Sequence, residues 1–176
     1  MKLLLHICCA PDATHPIQIL RDEYQIDAFF YNPNIHPKEE YEKRLESMRA
    51  ISSEWDVTLH EGEYDKDRWL ELTGGHKDEP EGGKRCEICY RMRLEETAKL
   101  AAKDGYDAFG AVLTISPHKD AKKINEIGHE LGKKYDIAYL ESDFKKRDGF
   151  KKSIELSKGL GLYRQNYCGC VYSKQK

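Results

Sequence analysis

The sequence lacks the features that define several common classes of protein. No apolar run approaches the roughly 20 residues that a transmembrane helix needs. The apolar start "MKLLLHICC" is short and is interrupted by His6, which argues against a secretory signal. The patterns GxGxxG, GxxxxGK[ST] and SGG are missing, so no phosphate-binding loop indicates a dinucleotide enzyme or an ATP pyrophosphatase. We therefore expect a cytoplasmic protein with no membrane partner.

The sequence also lacks a large net charge, because its 29 Lys and Arg residues nearly balance its 31 Asp and Glu residues. This balance gives no global argument for binding nucleic acid. The charge is uneven, however, because residues 144–176 contain nine Lys or Arg and only two acids. That segment is a candidate surface for a polyanion, and a solvated helix face is the alternative.

What the sequence does contain is a regular alternation of apolar runs and amphipathic stretches. Strands are predicted at 2–7, 26–32, 56–63, 107–113 and 137–142. Helices are predicted at 16–24, 37–55, 67–72, 86–105, 122–135 and 149–161, with a polar loop at 73–85 and a tail at 162–170. This order predicts one α/β domain, residues 1–176, with a Rossmann-like open parallel sheet of about five strands and helices on both faces.

Several polar motifs follow the predicted strands. Cys8 and Cys9 follow the first strand, "YNPNIHP" (31–37) follows the second, and "TISPHKD" (114–120) follows the fourth. In open parallel sheets, ligands bind beyond the carboxyl ends of the strands. We therefore expect these motifs to meet at one edge of the sheet and to form the site there.

The six cysteines fall into three close pairs: Cys8 and Cys9, Cys86 and Cys89, and Cys168 and Cys170. In a reducing compartment such pairs indicate metal or redox chemistry rather than structural disulfides. Four thiolates suit a 4Fe–4S cluster and suit a structural zinc equally well. The CxxC pair starts a predicted helix, where the thiolate form is favoured. The CxC pair can hold one metal or form an easily reduced disulfide.

The adjacent Cys8 and Cys9 raise a geometric question. In extended backbone, neighbouring side chains point to opposite sides, so the two thiols could serve different centres. Asp12 could complete a second centre as a hard oxygen ligand, and a helix N-cap after Pro11 is its alternative role. Arg91 and Arg93 follow the CxxC motif, and helical spacing is equally compatible with a pocket or a surface position.

Taken together, these motifs resemble those of the epoxyqueuosine reductase QueH family. The combination of CC, CxxCYxxRL and YRQxYCGC is highly specific, and the matching stretches span nearly the whole chain. They are "LLLHICCAP" (3–11), "FYNPNIHPKEEYEKR" (30–44), "GKRCEICYRMRL" (83–94), "LTISPHKD" (113–120) and "FKKRDGFKKSIELSKGLGLYRQNYCGCVYS" (144–173).

The resemblance implies a fold related to adenine nucleotide alpha hydrolases and an iron–sulfur enzyme that works without cobalamin. It implies reduction of epoxyqueuosine at the tRNA wobble position, the last step of queuosine biosynthesis. The resemblance also implies roles for the cysteines. The cluster-site thiols would be Cys8, Cys9, Cys86 and Cys89, and the second redox or metal pair would be Cys168 and Cys170. Because the adjacent thiols could serve different centres, a second assignment stays open. In it, Cys8 or Cys9 joins Asp12 and a CxC thiol on an additional mononuclear iron.

The implied reaction needs two electrons and two protons, whereas a 4Fe–4S cluster delivers one electron at a time. An external electron donor is needed, together with a second redox element, which the Cys168–Cys170 dithiol or an iron would supply. An iron could also polarise the epoxide oxygen as a Lewis acid. The candidate proton donors are His36, Tyr90, His118 and, if it is not a ligand, Asp12.

The implied substrate is a tRNA anticodon loop, which combines phosphates with unstacked bases. The basic residues expected to hold phosphate are Lys145, Lys146, Arg147, Lys151, Lys152 and Arg164. Tyr163 and Tyr167 are expected to stack on a base. Three other functions remain open: a zinc-stabilised RNA-binding module without redox activity, a thiol–disulfide oxidoreductase, and a nucleotide-dependent relative of the sulfur-inserting tRNA enzymes.

Overall fold

A parallel five-stranded sheet organises the protein. In the computed structural model, which describes residues 1–173, the strand order is β3–β2–β1–β4–β5 and each neighbouring pair is parallel. The strands are β1 (Lys2–His6), β2 (Gln25–Phe30), β3 (Thr58–Glu61), β4 (Ala108–Ala111) and β5 (Ala138–Tyr139). From β1 the chain adds β2 and β3 on one side and then β4 and β5 on the other, so the strand order reverses between β1 and β4. Such a switch point is where open parallel sheets bind ligands.

Six helices surround the sheet, and this confirms the predicted α/β class. They are α1 (Ala10–Leu20), α2 (Lys38–Glu54), α3 (Lys66–Thr73), α4 (Lys84–Lys103), α5 (Ala121–Tyr135) and α6 (Gly149–Gly159). Helix α4 packs on β1 and β4 and contacts α3 and α5, whereas α1 contacts α6 and α2. None of the helices within residues 1–173 is long and apolar enough to cross a membrane.

The central strand β1 supplies the middle of the core. Leu3, Leu4 and Leu5 are fully buried, because β1 pairs with β2 on one side and β4 on the other and is covered on both faces. A continuous apolar run is the expected sequence for such a strand. The chain beyond it, from Ile7 to Ala10, is buried as well.

The first helix begins earlier than the sequence predicts. The prediction placed it at 16–24, whereas α1 starts at Ala10 and has Cys9 as its N-cap. Pro11 is tolerated in the first turn, where its missing N–H has no helical acceptor, and Pro16 lies inside the helix. The N-cap alternative for Asp12 is therefore wrong, because this residue lies within the first helical turn.

All five strands are shorter than predicted, and β3, β4 and β5 are shortened most because turns border them. Left-handed residues precede β3 and β5, with φ of 54° at Asp56 and 51° at Asp136. Strand β4 ends at Ala111 and continues as a 3-10 turn over Val112–Ile115. Helix α4 starts at Lys84 and ends at Lys103, two residues earlier at each end than predicted, and Gly105 follows its end with a φ of 72°, as a C-terminal glycine does.

Candidate active site and metal centre

A cavity of about 460 Å³ lies where residues following β1, β2 and β4 meet. Each of these three segments contributes at least one lining residue, for example Cys8, Asn34 and Ser116. This confirms the prediction that the motifs lie together at one edge of the sheet. Five of the six cysteines line the cavity: Cys8, Cys86, Cys89, Cys168 and Cys170. All six cysteines are free thiols. The fold therefore gathers three sequence-distant cysteine pairs around one space.

The sixth cysteine, Cys9, lies beside the cavity and forms a compact group with Cys8 and Asp12. The ligand atoms of these three residues all lie within 4.8 Å of one another, and the Cys8 thiol donates to Asp12 Oδ2 at 3.3 Å. Metal–sulfur and metal–oxygen bonds of roughly 2.0–2.3 Å allow this spacing around a single ion. Although the two cysteines are adjacent, their sulfur atoms are thus close enough to share one metal.

Electrostatics around Cys9 favour a neutral thiol until a cation arrives. Cys9 is 1% exposed, and burial, together with its neighbours Cys8 and Asp12, raises its pKa well above the usual value. Its sulfur accepts a hydrogen bond from Gln165 Nε2 at 2.8 Å. A bound cation would reverse this preference, since metal coordination removes the thiol proton.

The CxxC pair is positioned by the N-terminal turns of α4. The Cys86 sulfur accepts a hydrogen bond from the Gly82 backbone N–H at 3.2 Å. Burial nevertheless raises the pKa of Cys86, so the thiolate preference predicted for a helix N-terminus is outweighed there. Cys89 lies one turn further along α4 and is buried.

The CxC pair is shaped by the glycine between its cysteines. Gly169 has a φ of 102°, and a Cβ there would come within 2.8 Å of Ile35. Its carbonyl accepts a hydrogen bond from the His36 N–H at 2.8 Å. Hydrogen bonding from the Cys170 thiol lowers the pKa of Cys168. This turn therefore places an acidic thiol at the cavity, which suits either metal binding or redox use.

A buried ion pair on α2 holds the tail that carries the CxC pair. Arg44, which is 2% exposed, donates to Glu40 Oε1 at 2.7 Å and to the carbonyls of Cys168 and Tyr167 at 3.1 and 3.0 Å. Tyr163 donates its hydroxyl to Glu40 Oε2 at 2.7 Å. Sequence analysis missed Arg44, because the spacing of Glu40 and Arg44 is also typical of an exposed helical ion pair.

The candidate proton donors are divided by the fold. Tyr90 is buried and lines the cavity, and burial raises its pKa so that its hydroxyl stays protonated. His118 and Asp12 also line the cavity. His36 does not, since its Nδ1 bonds to the Asn34 carbonyl at 2.8 Å and its ring lies 5.4 Å from that of Trp69.

The candidate tRNA-binding residues fall into separate places. Arg164 and Tyr167 line the cysteine cavity, and Tyr163 is 39% exposed at the anchored tail. The candidates on or before α6 lie outside this cavity. A second cavity of about 810 Å³ is lined by Lys146, Arg147 and Lys152, and Lys151 is exposed. Lys145 Nζ donates to the Lys119 carbonyl at 2.9 Å. Because Lys119 lines the cysteine cavity, Lys145 connects the basic segment to it.

The two arginines after the CxxC motif have different environments. Arg91 is exposed and pairs with Glu130 at 2.5 Å, whereas Arg93 is buried and lines the cavity. The sequence left both positions open. Trp69, Arg85 and Gln165 also line the cavity, and the sequence analysis gave none of them a role.

The fold and the site define a class of protein, namely α/β proteins with an open parallel sheet and a cysteine-rich cavity at the sheet edge. A predicted subunit of a tRNA methyltransferase from Methanocaldococcus jannaschii shares the fold with a TM-score of 0.61 and 14% identity, covering 90% of this chain and 74% of that chain. The U34-tRNA thiolase NcsA from Methanococcus maripaludis, with its [4Fe-4S] cluster, also shares the fold with a TM-score of 0.61 and 13% identity, covering 98% of this chain and 60% of that chain.

Sequence comparison specifies the family. The family model described as epoxyqueuosine reductase QueH matches residues 3–176. The protein named epoxyqueuosine reductase QueH from Staphylococcus epidermidis is 42% identical to this chain, and the alignment covers 99% of this chain and 77% of the relative. The protein of the same name from Thermotoga maritima is 41% identical, and the alignment covers 97% of this chain and 89% of the relative. The chain belongs to the epoxyqueuosine reductase QueH family, which confirms the resemblance seen in the sequence.

The anchoring role of Arg44 leads to a stability prediction. Replacement by methionine (R44M) leaves Glu40 buried without its cation and frees the carbonyls of the tail. We expect the free energy of unfolding to fall by about 3–5 kcal/mol, as when one partner of a buried pair is removed. Urea unfolding under anaerobic, reducing conditions measures the change.

The control is R49M on the same helix, because Arg49 forms an exposed pair with Glu61. We expect a clearly smaller loss for this variant. Equal losses for R44M and R49M would contradict the anchoring role.

Proposed function

We propose that this chain acts as a single iron–sulfur domain, residues 1–176, that reduces epoxyqueuosine at the wobble position of tRNA to queuosine. The observation that carries the proposal is the gathering of all six thiols at one sheet edge in a member of the QueH family. The tRNA substrate and the reduced thiols both suit a cytoplasmic location.

We assign the thiols to two groups of ligands. Cys86, Cys89, Cys168 and Cys170 line the cavity from α4 and from the tail, and four thiolates are the donor set of a [4Fe–4S] cluster. We assign the cluster to these four residues. This differs from the ligand set implied by sequence resemblance, in which Cys8 and Cys9 joined Cys86 and Cys89.

Cys8, Cys9 and Asp12 are left as the ligands of a separate mononuclear iron. Their spacing within 4.8 Å suits one ion, and two thiolates with a carboxylate suit iron. Cys8 and Asp12 also line the cavity, so an ion held there would face a substrate inside it. When bound, the cluster supplies electrons singly and the iron polarises an oxygen as a Lewis acid.

The reaction removes the epoxide oxygen as water. Both carbon–oxygen bonds of the epoxide break, a carbon–carbon double bond forms, and two electrons and two protons are consumed. The electrons come from an external reductant. Tyr90 and His118 line the cavity and are the proposed proton donors, because burial keeps the Tyr90 hydroxyl protonated and His118 reaches solvent.

The tRNA is held along the basic segment. Lys146, Arg147, Lys151 and Lys152 are exposed side chains that can contact phosphate, and Lys145 leads from them to the cysteine cavity. At the cavity itself, Arg164 and Tyr167 are placed to meet the nucleotide that enters. The anticodon backbone would thus run from α6 towards the cavity.

The direct test is turnover of tRNA that contains epoxyqueuosine, with protein reconstituted without oxygen and a chemical reductant. We expect digestion and mass spectrometry of the nucleosides to show queuosine with the wild-type protein. C86S should reduce product at least 100-fold through loss of a proposed cluster ligand. Y90F should retain iron but slow turnover by roughly 10²–10⁴-fold, the usual contribution of a general acid.

Other outcomes of this assay would favour another function. Binding of tRNA by a zinc-containing protein without product would support a structural RNA-binding module. Rapid reduction of a generic disulfide without turnover of the tRNA would support a thiol oxidoreductase. A requirement for ATP would support a relative of the sulfur-inserting enzymes.

The proposed tRNA surface predicts a strong dependence of binding on salt. The logarithm of the binding constant should fall linearly with the logarithm of salt concentration, because phosphate contacts release counterions. The double variant K146Q/K152Q should flatten this slope by about one for each of the two lysines that binds a phosphate. Filter binding or fluorescence anisotropy at several salt concentrations measures it.

The control variant is K133Q, which removes an exposed lysine on α5 outside both cavities. Its slope should match that of the wild type. A salt dependence that is flat, or that K133Q alters as much as the double variant, would refute tRNA binding by this surface.

A further inference from the structure

Arg93 is a buried cation in the wall of the cysteine cavity. It lies one helical turn after Cys89 on α4 and is 3% exposed. Its Nε donates to the Cys89 carbonyl at 3.2 Å, and its guanidinium carbon lies 5.7 Å from the centre of the Tyr90 ring. Helix α4 thus carries both a cysteine pair and a positive charge into the same cavity.

This cation has no carboxylate partner among the residues that the structure describes. Two other arginines have carboxylate partners, since Arg44 pairs with Glu40 and Arg91 pairs with Glu130. The buried Arg85 instead donates to three backbone carbonyls. Burying an ion without a countercharge is costly, so such a position requires anions close by. The identity of those anions therefore defines what Arg93 does.

The groups placed to supply a countercharge are the cysteines. Five of them line the same cavity as Arg93, and Arg93 Nε donates to the backbone carbonyl of one of them, Cys89, at 3.2 Å. Thiolates that form when these cysteines bind a metal would therefore be the countercharge of Arg93 inside the cavity.

We propose that Arg93 is a positioning residue whose fixed charge offsets the cysteine thiolates and stabilises the reduced form of the cluster, thereby setting its reduction potential. The inference rests on the proposed function, because it requires a cluster on these cysteines. A cluster held by these cysteines would become more negative by one charge when an external reductant supplies one electron. A cation nearby stabilises that form more than the oxidised form, and net charge is a main determinant of cluster potentials.

The test is a redox titration, followed by EPR, of the reconstituted protein and three variants. R93M removes the charge, R93K retains it, and R91M removes an exposed charge from the same helix. We expect the reduction equilibrium of R93M to weaken at least tenfold, which is about 59 mV more negative for one electron. R93K should shift less than half as far, and R91M should match the wild type.

The variants separate charge from a merely structural role. If R93M loses its cluster while R93K retains one near the wild-type potential, the requirement for positive charge is upheld. The proposal is overturned if R93K and R93M shift equally, if neither shifts, or if R93K also loses the cluster, since the guanidinium shape would then matter rather than its charge. Wild-type protein without a cluster would instead contradict the proposed function itself.

Discussion

The cysteine cavity depends on a buried arginine that holds the C-terminal tail over the sheet edge. Arg44 lies within α2, yet its guanidinium reaches the carbonyls of Tyr167 and Cys168. The cost of burying this cation is offset by Glu40, which is itself fixed by the Tyr163 hydroxyl. This anchor acts together with the His36 N–H, which donates to the Gly169 carbonyl, to keep the CxC pair at the cavity. The third pair of thiols therefore joins the site through polar contacts rather than through packing of the tail alone.

The parallel sheet supplies the other half of the arrangement. Strand β1 passes directly into α1, so Cys8, Cys9 and Asp12 are brought together at the switch point between β1 and β4. The start of α4 brings the CxxC pair to the same edge. Low exposure keeps Cys9 and Cys86 neutral without a metal, whereas Arg93 adds a fixed positive charge. Cysteines that bind a metal would become thiolates, and the positive charge of Arg93 would then offset part of their negative charge.

Much of this arrangement could be predicted from the sequence, for identifiable reasons. The order of strands and helices follows from apolar periodicity, and the meeting of motifs follows from parallel topology. The early start of α1 could not be predicted, because Pro11 and Pro16 usually mark a boundary and here lie inside the helix. Arg44 and Arg93 could not be separated from surface charges, because their burial depends on the docked tail and on cysteines distant in the sequence. The placement of His36 outside the cavity likewise depends on its packing near Trp69.

The central claim is that the six thiols and Asp12 hold a cluster together with a separate iron. Its most direct test is the amount of iron and acid-labile sulfide per chain in protein prepared without oxygen, with EPR of the dithionite-reduced sample. The account predicts about four sulfides and about five irons per chain, with the signal of a reduced [4Fe–4S] cluster. Equal amounts of iron and sulfide would contradict the separate iron, and zinc without sulfide would contradict the redox centre altogether.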